Sequence, residues 1–398
     1  MRRATVLVTD GEQRAALATV RSLGRAGHRV IVTSTARRSL AGCSRHAALS
    51  LEAPDPMTAP DAYTARILEQ VRTHAADVLL PISEASLLAL LGARGGLGAC
   101  RLPFPELDVF RRVTDKEQVL ALASETGIAV PEQLVARTRE DAAQLAGGRL
   151  GFPLVLKPWR SVAEAAQSRV QLRVLHARDA AGLEAQLSRL PDAAFPLLAQ
   201  RRIVGPGAGI FLLEWRGELR ALFAHRRLRE KPPSGGVSVY SESIAADPQL
   251  VARSRELLSR LGWQGVAMVE YKMDAASGTP YLMEINGRLW GSLQLAIDAG
   301  VDFPSLLVAA ALDEPSEPVT AWRTGARLRW EWGNADYLLA RLRRSDAELS
   351  MPAGAPGLWE SIGRQGLLWR PGDRLEVLRF EDPAPFLLET WRWFREAS

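Results

Sequence analysis

The stretch YLMEINGRLW (281–290) places three polar side chains on one face of a predicted strand. Side chains alternate between the two faces of an extended strand, so Glu284, Asn286 and Arg288 point the same way. Apolar side chains take the other face, which predicts that the strand is buried on that side. Two oxygen donors beside a guanidinium are what a magnesium ion bound to a phosphate chain requires. The pattern therefore indicates a binding face rather than an ordinary solvated strand.

A second glutamate lies in the preceding apolar run, WQGVAMVEYKMD (263–274), which is joined to the first run by the turn AASG. If the two runs form an antiparallel hairpin, Glu270 lies directly opposite Glu284. Like charges in that position destabilise a sheet, and a divalent cation between them reverses the sign of the interaction. We therefore expect a site for Mg²⁺ (or Mn²⁺) held by Glu270, Glu284 and Asn286. Arg288 is one pleat further along, where it can hold a phosphate oxygen.

The composition is that of an ordinary globular protein and excludes several classes. The chain has 398 residues, 47% of them hydrophobic, and a formal net charge of +5. This small charge gives little support to a nucleic-acid partner. Cys43 and Cys100 are too few and too far apart for a disulfide framework, and no apolar run is long enough for a signal peptide or a membrane span. We expect a cytoplasmic protein with no membrane partner.

The order of predicted elements indicates a mixed α/β and α+β fold in three parts. Strands alternate with helices in residues 1–112, which predicts a Rossmann-like domain. This domain lacks G-x-G-x-x-G, so it is not expected to bind a dinucleotide. Residues 113–312 form a second domain of largely antiparallel strands, with a small lid subdomain at about 130–197. Residues 313–398 form a C-terminal extension, which we expect to pack against the core or against a second subunit in a homodimer.

The paired glutamates and the E-x-N-x-R motif resemble the metal and phosphate site of the ATP-grasp superfamily. That superfamily includes biotin carboxylase, carbamoyl-phosphate synthetase and D-alanine–D-alanine ligase. The resemblance covers roughly residues 1–312, and it implies a pre-ATP-grasp Rossmann-like domain followed by the ATP-grasp fold. E-x-N-x-R alone occurs by chance, but four motifs agree with the superfamily in order and spacing.

The remaining motifs supply the nucleotide site that the resemblance implies. Lys116 in VTDKEQ and Lys157 in LVLKP are similar to the two lysines that hold the ATP phosphates. AQRRIVG (199–205) is similar to the hinge strand that binds adenine. There the side chain of Gln200 and the backbone from Arg201 to Ile203 would contact the base.

A basic loop, HRRLREKPPSGGVSVYSES (225–243), resembles the segment that closes over the acceptor site in ligases of this superfamily. Its cations could hold a substrate carboxylate or the γ-phosphate, and its glycines would let the backbone approach an acyl phosphate. The substrate contacts predicted here are Arg226, Arg229, Lys231, Ser234 and Gly235.

The resemblance implies an ADP-forming, ATP-dependent carboxylate–amine ligase with Lys157 and Arg288 as catalytic residues. ATP would phosphorylate a small carboxylate, and an amine would attack the acyl phosphate; an amino acid and a peptide both remain open as substrates. Two alternatives also remain open: a non-catalytic ATP-binding protein, and a carboxylase or phosphotransferase. The flap after Lys157, PWRSVAEAAQSR (158–169), lacks the glycines usual in relatives. No general base for the amine is evident in the sequence.

Overall fold

The N-terminal domain is a parallel sheet with crossover helices, as the alternation of elements predicts. The computed structural model describes residues 3–147, 150–165, 168–233, 235–346, 348–349, 351, 357–360 and 370–397. In this domain the strand order is β3-β2-β1-β4, and neighbouring strands are parallel. The elements are β1 (Thr5–Val8), α1 (Arg14–Arg25), β2 (Arg29–Ser34), β3 (Leu49–Glu52), α2 (Pro60–Thr73), β4 (Val78–Leu80) and α3 (Glu84–Leu91).

Two helices, α4 (Leu107–Thr114) and α5 (Lys116–Glu125), connect this domain to the rest of the chain. The Asp115 side chain caps α5 by accepting a hydrogen bond from the backbone N–H of Gln118 at 3.1 Å. This cap satisfies one of the unpaired amides of the first turn. It also fixes Lys116 as the first residue of α5, facing the sheets that follow.

The lid is an antiparallel sheet with its own small core. Its strand order is β5-β10-β6-β9, and its leucine and alanine side chains form a cluster separate from the main core. A further hairpin, β7–β8, follows β6 as a separate two-stranded unit. The elements are β5 (Gln133–Ala136), α6 (Arg139–Ala143), β6 (Leu154–Pro158), β7 (Val162–Ala165), β8 (Ser168–Gln171), β9 (Leu175–Ala177), α7 (Ala180–Leu187) and β10 (Leu197–Arg201).

The largest sheet has the strand order β15-β14-β11-β12-β13-β16-β17 and is antiparallel except for the pair β16–β17. Its hairpin β11–β12 turns at Arg216 and Gly217, as predicted, and both residues have positive φ angles. The elements are β11 (Gly207–Trp215), β12 (Glu218–Lys231), β13 (Val237–Ser243), α8 (Pro248–Arg260), β14 (Gly265–Met273), β15 (Pro280–Asn286), α9 (Leu293–Ala299), α10 (Phe303–Ala311), β16 (Arg327–Arg329), α11 (Glu331–Arg343) and β17 (Asp373–Leu375).

The predicted C-terminal extension is part of this architecture and packs against the core. It contributes β16 and β17 to the main sheet, and its last helix (Ala384–Ala397) packs beside α11. There Trp332 and Trp393 stack with ring centroids 4.3 Å apart. The extension also reaches the N-terminal domain, where the buried Asp382 accepts a hydrogen bond from Arg21 Nε at 2.8 Å.

Within the described part of the chain, the helices α9 and α10 together come closest to the length and composition needed for a membrane span. No single helix among the described residues is long and apolar enough to cross a bilayer. These two meet the criteria of length and composition only when taken together, and they are bent by 93°. In the structure most of their residues are buried against the sheet.

Candidate active site

The two predicted carboxylates face each other across the β14–β15 ladder. Glu270 pairs with Glu284 and Met268 pairs with Asn286, so the register expected from the sequence is confirmed. A bulge follows on the β15 side, because Tyr271 pairs with Leu282 and leaves Met283 as the extra residue. The ladder therefore brings two negative groups together at one place in the sheet.

A chain of polar contacts joins the three residues of the E-x-N-x-R motif. Arg288 Nη2 donates to Asn286 Oδ1 at 3.2 Å, and Asn286 Nδ2 donates to Glu284 Oε1 at 3.0 Å. Alternation along β15 places Glu284 and Asn286 on one face, as predicted, whereas Arg288 lies two residues beyond the end of the strand and reaches back to Asn286. The motif is thus a connected unit in which each group orients the next.

Both predicted lysines converge on Glu284. Lys116 Nζ is 3.6 Å from Glu284 Oε2 and donates to Ser161 Oγ at 3.0 Å. Lys157 is buried in β6, and its Nζ lies 3.7 Å from Met283 Sδ. Burial lowers the pKa of Lys157 to about 8, although the charge of Glu284 acts in the opposite direction. For Glu284, burial acts to raise the pKa, but the two lysines outweigh it and hold the pKa below its usual range.

Glu270 has a different partner, one that the sequence analysis missed. Arg227 Nη2 donates to Glu270 Oε2 at 2.6 Å, while Arg227 Nη1 donates to Glu230 Oε1 at 2.8 Å. Burial raises the pKa of Glu270, and the charge of Arg227 opposes that shift. Each of the two facing carboxylates is therefore balanced by its own cationic partner, Glu270 by Arg227 and Glu284 by Lys116.

The three basic residues predicted to contact substrate lie elsewhere. Arg226 pairs with Glu242, Arg229 Nη1 donates to Asn334 Oδ1 at 3.0 Å, and Lys231 pairs with Asp336. The physical reason is a bulge between Arg227 and Arg229, which inserts one residue and reverses the alternation of faces. Arg229 and Lys231 consequently point towards α11, and only Arg227 reaches Glu270.

The glycine loop that follows is described only in part. Ser234 lies outside the described residues. Gly235 has a φ of +130°, which favours glycine, and its N–H donates to the carbonyl of Pro232 at 3.1 Å. Its predicted contact with substrate remains a prediction.

The predicted hinge lies at the end of β10. The Gln200 side chain is buried, and its Nε2 donates to Gln133 Oε1 at 2.8 Å. The N–H of Arg201 donates to the carbonyl of Glu132 at 2.9 Å. An adenine contact here would therefore use other backbone atoms of Arg201 and those of Ile203, and this role remains a prediction.

The donor set suits Mg²⁺ bound together with phosphates. Among the described residues, no group of three or more His, Cys, Asp or Glu side chains gathers around one point. Glu270 and Glu284 provide two carboxylates, and Asn286 adds an amide oxygen if its amide, which now donates to Glu284, rotates by half a turn. Magnesium normally takes one or two protein carboxylates and fills its remaining positions with phosphate oxygens and water.

Comparisons with known proteins identify this architecture. A family model described as "ATP-grasp in the biosynthetic pathway with Ter operon" matches residues 195–333, which include β14 and β15. A search of curated proteins gave no match. Several solved structures share the fold. An L-amino acid ligase from Bacillus licheniformis is 21% identical, with 80% of this chain and 76% of that chain covered and a TM-score of 0.61.

Two further structures are similar at lower identity. A biotin carboxylase from Campylobacter jejuni is 16% identical, covers 82% of this chain and 74% of its own, and has a TM-score of 0.62. An N5-carboxyaminoimidazole synthetase from Staphylococcus aureus is 13% identical, covers 82% of each chain, and has a TM-score of 0.60. The protein has the ATP-grasp fold, which confirms the predicted fold class. Within this fold, residues 195–333 are similar to the family described above.

Proposed function

We propose that this protein is an ATP-dependent carboxylate–amine ligase that forms ADP and an amide through an acyl phosphate. The observation that carries the proposal is the placement of Glu270 opposite Glu284, with Lys116, Lys157 and Arg288 around them. Each carboxylate has its own cationic partner, and together with Asn286 the two form a donor set that can bind Mg²⁺ along with phosphate oxygens. The nearby lysines and arginine supply positive charge for the phosphates of the same nucleotide.

Each residue has a defined part in the first half-reaction. Glu270, Glu284 and Asn286 would hold Mg²⁺, which supplies charge neutralisation for the triphosphate when bound. Lys116 and Lys157 would contact phosphate oxygens of ATP, and Arg288 would bind an oxygen of the phosphoryl group that is transferred to the carboxylate. In phosphoryl transfer, catalysis comes mainly from positioning and from fixed positive charge.

The lid would protect the intermediate. An acyl phosphate reacts with water, so closing the β5-β10-β6-β9 sheet over the site would favour transfer to the amine. The lid has its own hydrophobic cluster, which suits movement as a unit. The acid and the amine are proposed to be small molecules, with an amino acid or a peptide among the first candidates.

Hydroxylamine trapping tests this function. Purified protein is incubated with Mg-ATP, hydroxylamine and pools of amino acids, peptides and other carboxylic acids, and hydroxamate and ADP are measured. Hydroxylamine replaces the unknown amine, so only the acid has to be found. We expect hydroxamate and ADP in equal amounts from at least one pool. A protein that binds Mg-ATP but yields neither product from any pool would contradict the ligase proposal.

Matched variants connect the result to the site. Glu284→Gln should abolish both products, whereas Glu125→Gln, on the exposed face of α5, should leave both unchanged. If Glu284→Gln kept the full rate of turnover, the assignment of Glu284 as a metal ligand would be wrong.

A further inference from the structure

A cavity of about 380 Å³ lies beside the candidate active site, between the N-terminal domain and the β7–β8 hairpin. It is located at the carboxyl ends of β1, β2 and β4, where open parallel sheets commonly bind ligands. Its lining includes Glu12, Asp55, Glu84, Gln171 and Arg288. Arg288 connects this cavity to the phosphate site, because it also bonds to Asn286.

The hairpin that covers the cavity is anchored to the N-terminal domain. The backbone N–H of Arg169 donates to the carbonyl of Met57 at 2.6 Å, and its Nη1 donates to the carbonyls of Pro56 and Ala85 at 2.9 and 3.2 Å. Val162 and Gln171 of this hairpin thus form part of the cavity wall. Its volume is at the small end of the range for ligand pockets, which suits a compact molecule.

Most carboxylates in the cavity wall have protein partners. Asp10 accepts hydrogen bonds from the backbone and hydroxyl of Ser83 and from the hydroxyl of Ser86. Glu12 pairs with Arg392 of the C-terminal helix, and Asp55 accepts from the backbone N–H of Met57. These three groups stabilise the walls and are poor candidates for a ligand contact.

Glu84 differs from these carboxylates in its position. It starts α3, directly after the capping residue Ser83, and it lines both this cavity and the small cleft that contains Lys116, Glu284 and Asn286. Its carboxylate therefore lies between the open cavity and the phosphate site. Burial raises the pKa of Glu84, the charge of Glu284 acts in the same direction, and the charges of Lys116, Arg288 and Arg160 oppose the shift.

We propose that this cavity binds the amine substrate and that Glu84 receives its ammonium group and one of its protons. The inference rests on the ligase function proposed above and names the base which that reaction requires. Amines of ordinary basicity arrive protonated at neutral pH, and a protonated nitrogen has no lone pair for attack. A carboxylate between the amine cavity and the acyl phosphate supplies both the binding charge and the proton acceptor.

Glu84 and the departing phosphate together accept both protons that the ammonium group loses. The ammonium gives one proton to the Glu84 carboxylate, and the neutral nitrogen then forms a bond to the acyl carbon. The carbon–oxygen bond to phosphate breaks, and its electron pair leaves with the phosphate. The second proton lost from nitrogen goes to the departing phosphate, which leaves hydrogen phosphate, the amide and protonated Glu84.

A comparison of two nucleophiles distinguishes a role of Glu84 in amine attack from a role in forming the acyl phosphate. The acid found by trapping is supplied with Mg-ATP and either hydroxylamine or ammonium chloride, and the wild-type protein is compared with Glu84→Gln and Glu125→Gln. Hydroxylamine is largely neutral near pH 7.5 and can attack without first losing a proton. Ammonium is the smallest protonated amine, so it fits any amine site.

We expect Glu84→Gln to form hydroxamate at nearly the wild-type rate but primary amide about a hundredfold more slowly, the loss typical of a missing general base. Glu125→Gln should form both at the wild-type rate. Equal losses of both products would assign Glu84 to the first half-reaction or to folding and overturn the inference. Unchanged amide formation, or no amide from the wild-type protein, would also overturn it. A wild-type protein that forms no hydroxamate would instead refute the ligase function itself.

Discussion

Replacing Arg227 with methionine removes the only cation that bonds directly to Glu270 among the described residues. Arg227 Nη2 lies 2.6 Å from Glu270 Oε2, and the two side chains are 11% and 17% exposed. Methionine keeps much of the apolar stem but leaves Glu270 facing Glu284 without compensation. Glu230, the second acceptor of this guanidinium, keeps Lys272 Nζ at 3.8 Å.

The expected loss in the free energy of unfolding is about 4 kcal/mol. Removing one partner of a buried ion pair typically costs about 3–5 kcal/mol, because the remaining charge stays out of water. Coulomb's law gives a similar value, about 4 kcal/mol for unit charges roughly 4 Å apart at an effective dielectric constant of 20. Glu270→Gln in the same chain removes the unpaired charge, so the double variant should regain about 2–3 kcal/mol.

Urea unfolding of the single and double variants measures this coupling. Arg226→Met is the matched control, because Arg226 is the adjacent residue and its side chain is 53% exposed in its pair with Glu242. Such exposed pairs contribute about 1 kcal/mol or less. If Arg227→Met costs no more than Arg226→Met, or if Glu270→Gln adds to the loss, the proposed balance of charges at the ladder is wrong.

Three other outcomes are expected from the geometry. Gly287→Ala would place a Cβ 2.2 Å from the Trp263 ring and should lower stability by about 1–3 kcal/mol with a change in tryptophan fluorescence, whereas Gly95→Ala meets nothing within 4 Å and should be neutral. Glu284→Gln should weaken Mn²⁺ binding measured by electron paramagnetic resonance in the presence of ADP, and unchanged binding would contradict the ligand assignment. Since burial lowers the pKa of Lys157 to about 8, its positive charge is present below that pH and lost above it. Affinity for ATP should therefore fall as the pH rises from 7 to 9 in the wild-type protein, and Lys157→Arg, which stays charged, should remove the fall.

Sequence periodicity predicted the centre of the site because its two carboxylates lie on adjacent strands of one hairpin. Alternation along β15 places Glu284 and Asn286 on one face, and the turn together with the bulge at Met283 brings Glu270 opposite Glu284. Lys157 is part of an apolar strand, where a charged residue stands out. These signals are local, so they can be found without knowing the packing.

The residues that were missed depend on irregular or distant features. Arg227 was one of several adjacent cations, and only the bulge in β12 decides that it reaches Glu270 while Arg229 points to α11. Glu84 comes from another domain, and nothing in its own surroundings in the sequence indicates that the chain returns beside it. Gly287 is required by Trp263, a contact formed by folding and not by spacing.

The bond between Arg21 and Asp382 has a consequence for how the protein is made. Asp382 also accepts from the Ser44 hydroxyl at 2.7 Å and from the backbone N–H of Arg45 at 2.9 Å, so two segments of the N-terminal domain contact it. A ribosome reaches residue 382 only 361 residues after Arg21, a delay of roughly 20–70 seconds at usual elongation rates. During that time the charge of Arg21 in α1 lacks the Asp382 carboxylate that neutralises it in the finished protein. The N-terminal domain is therefore synthesised early, but its contacts with Asp382 form only when the end of the chain has been made.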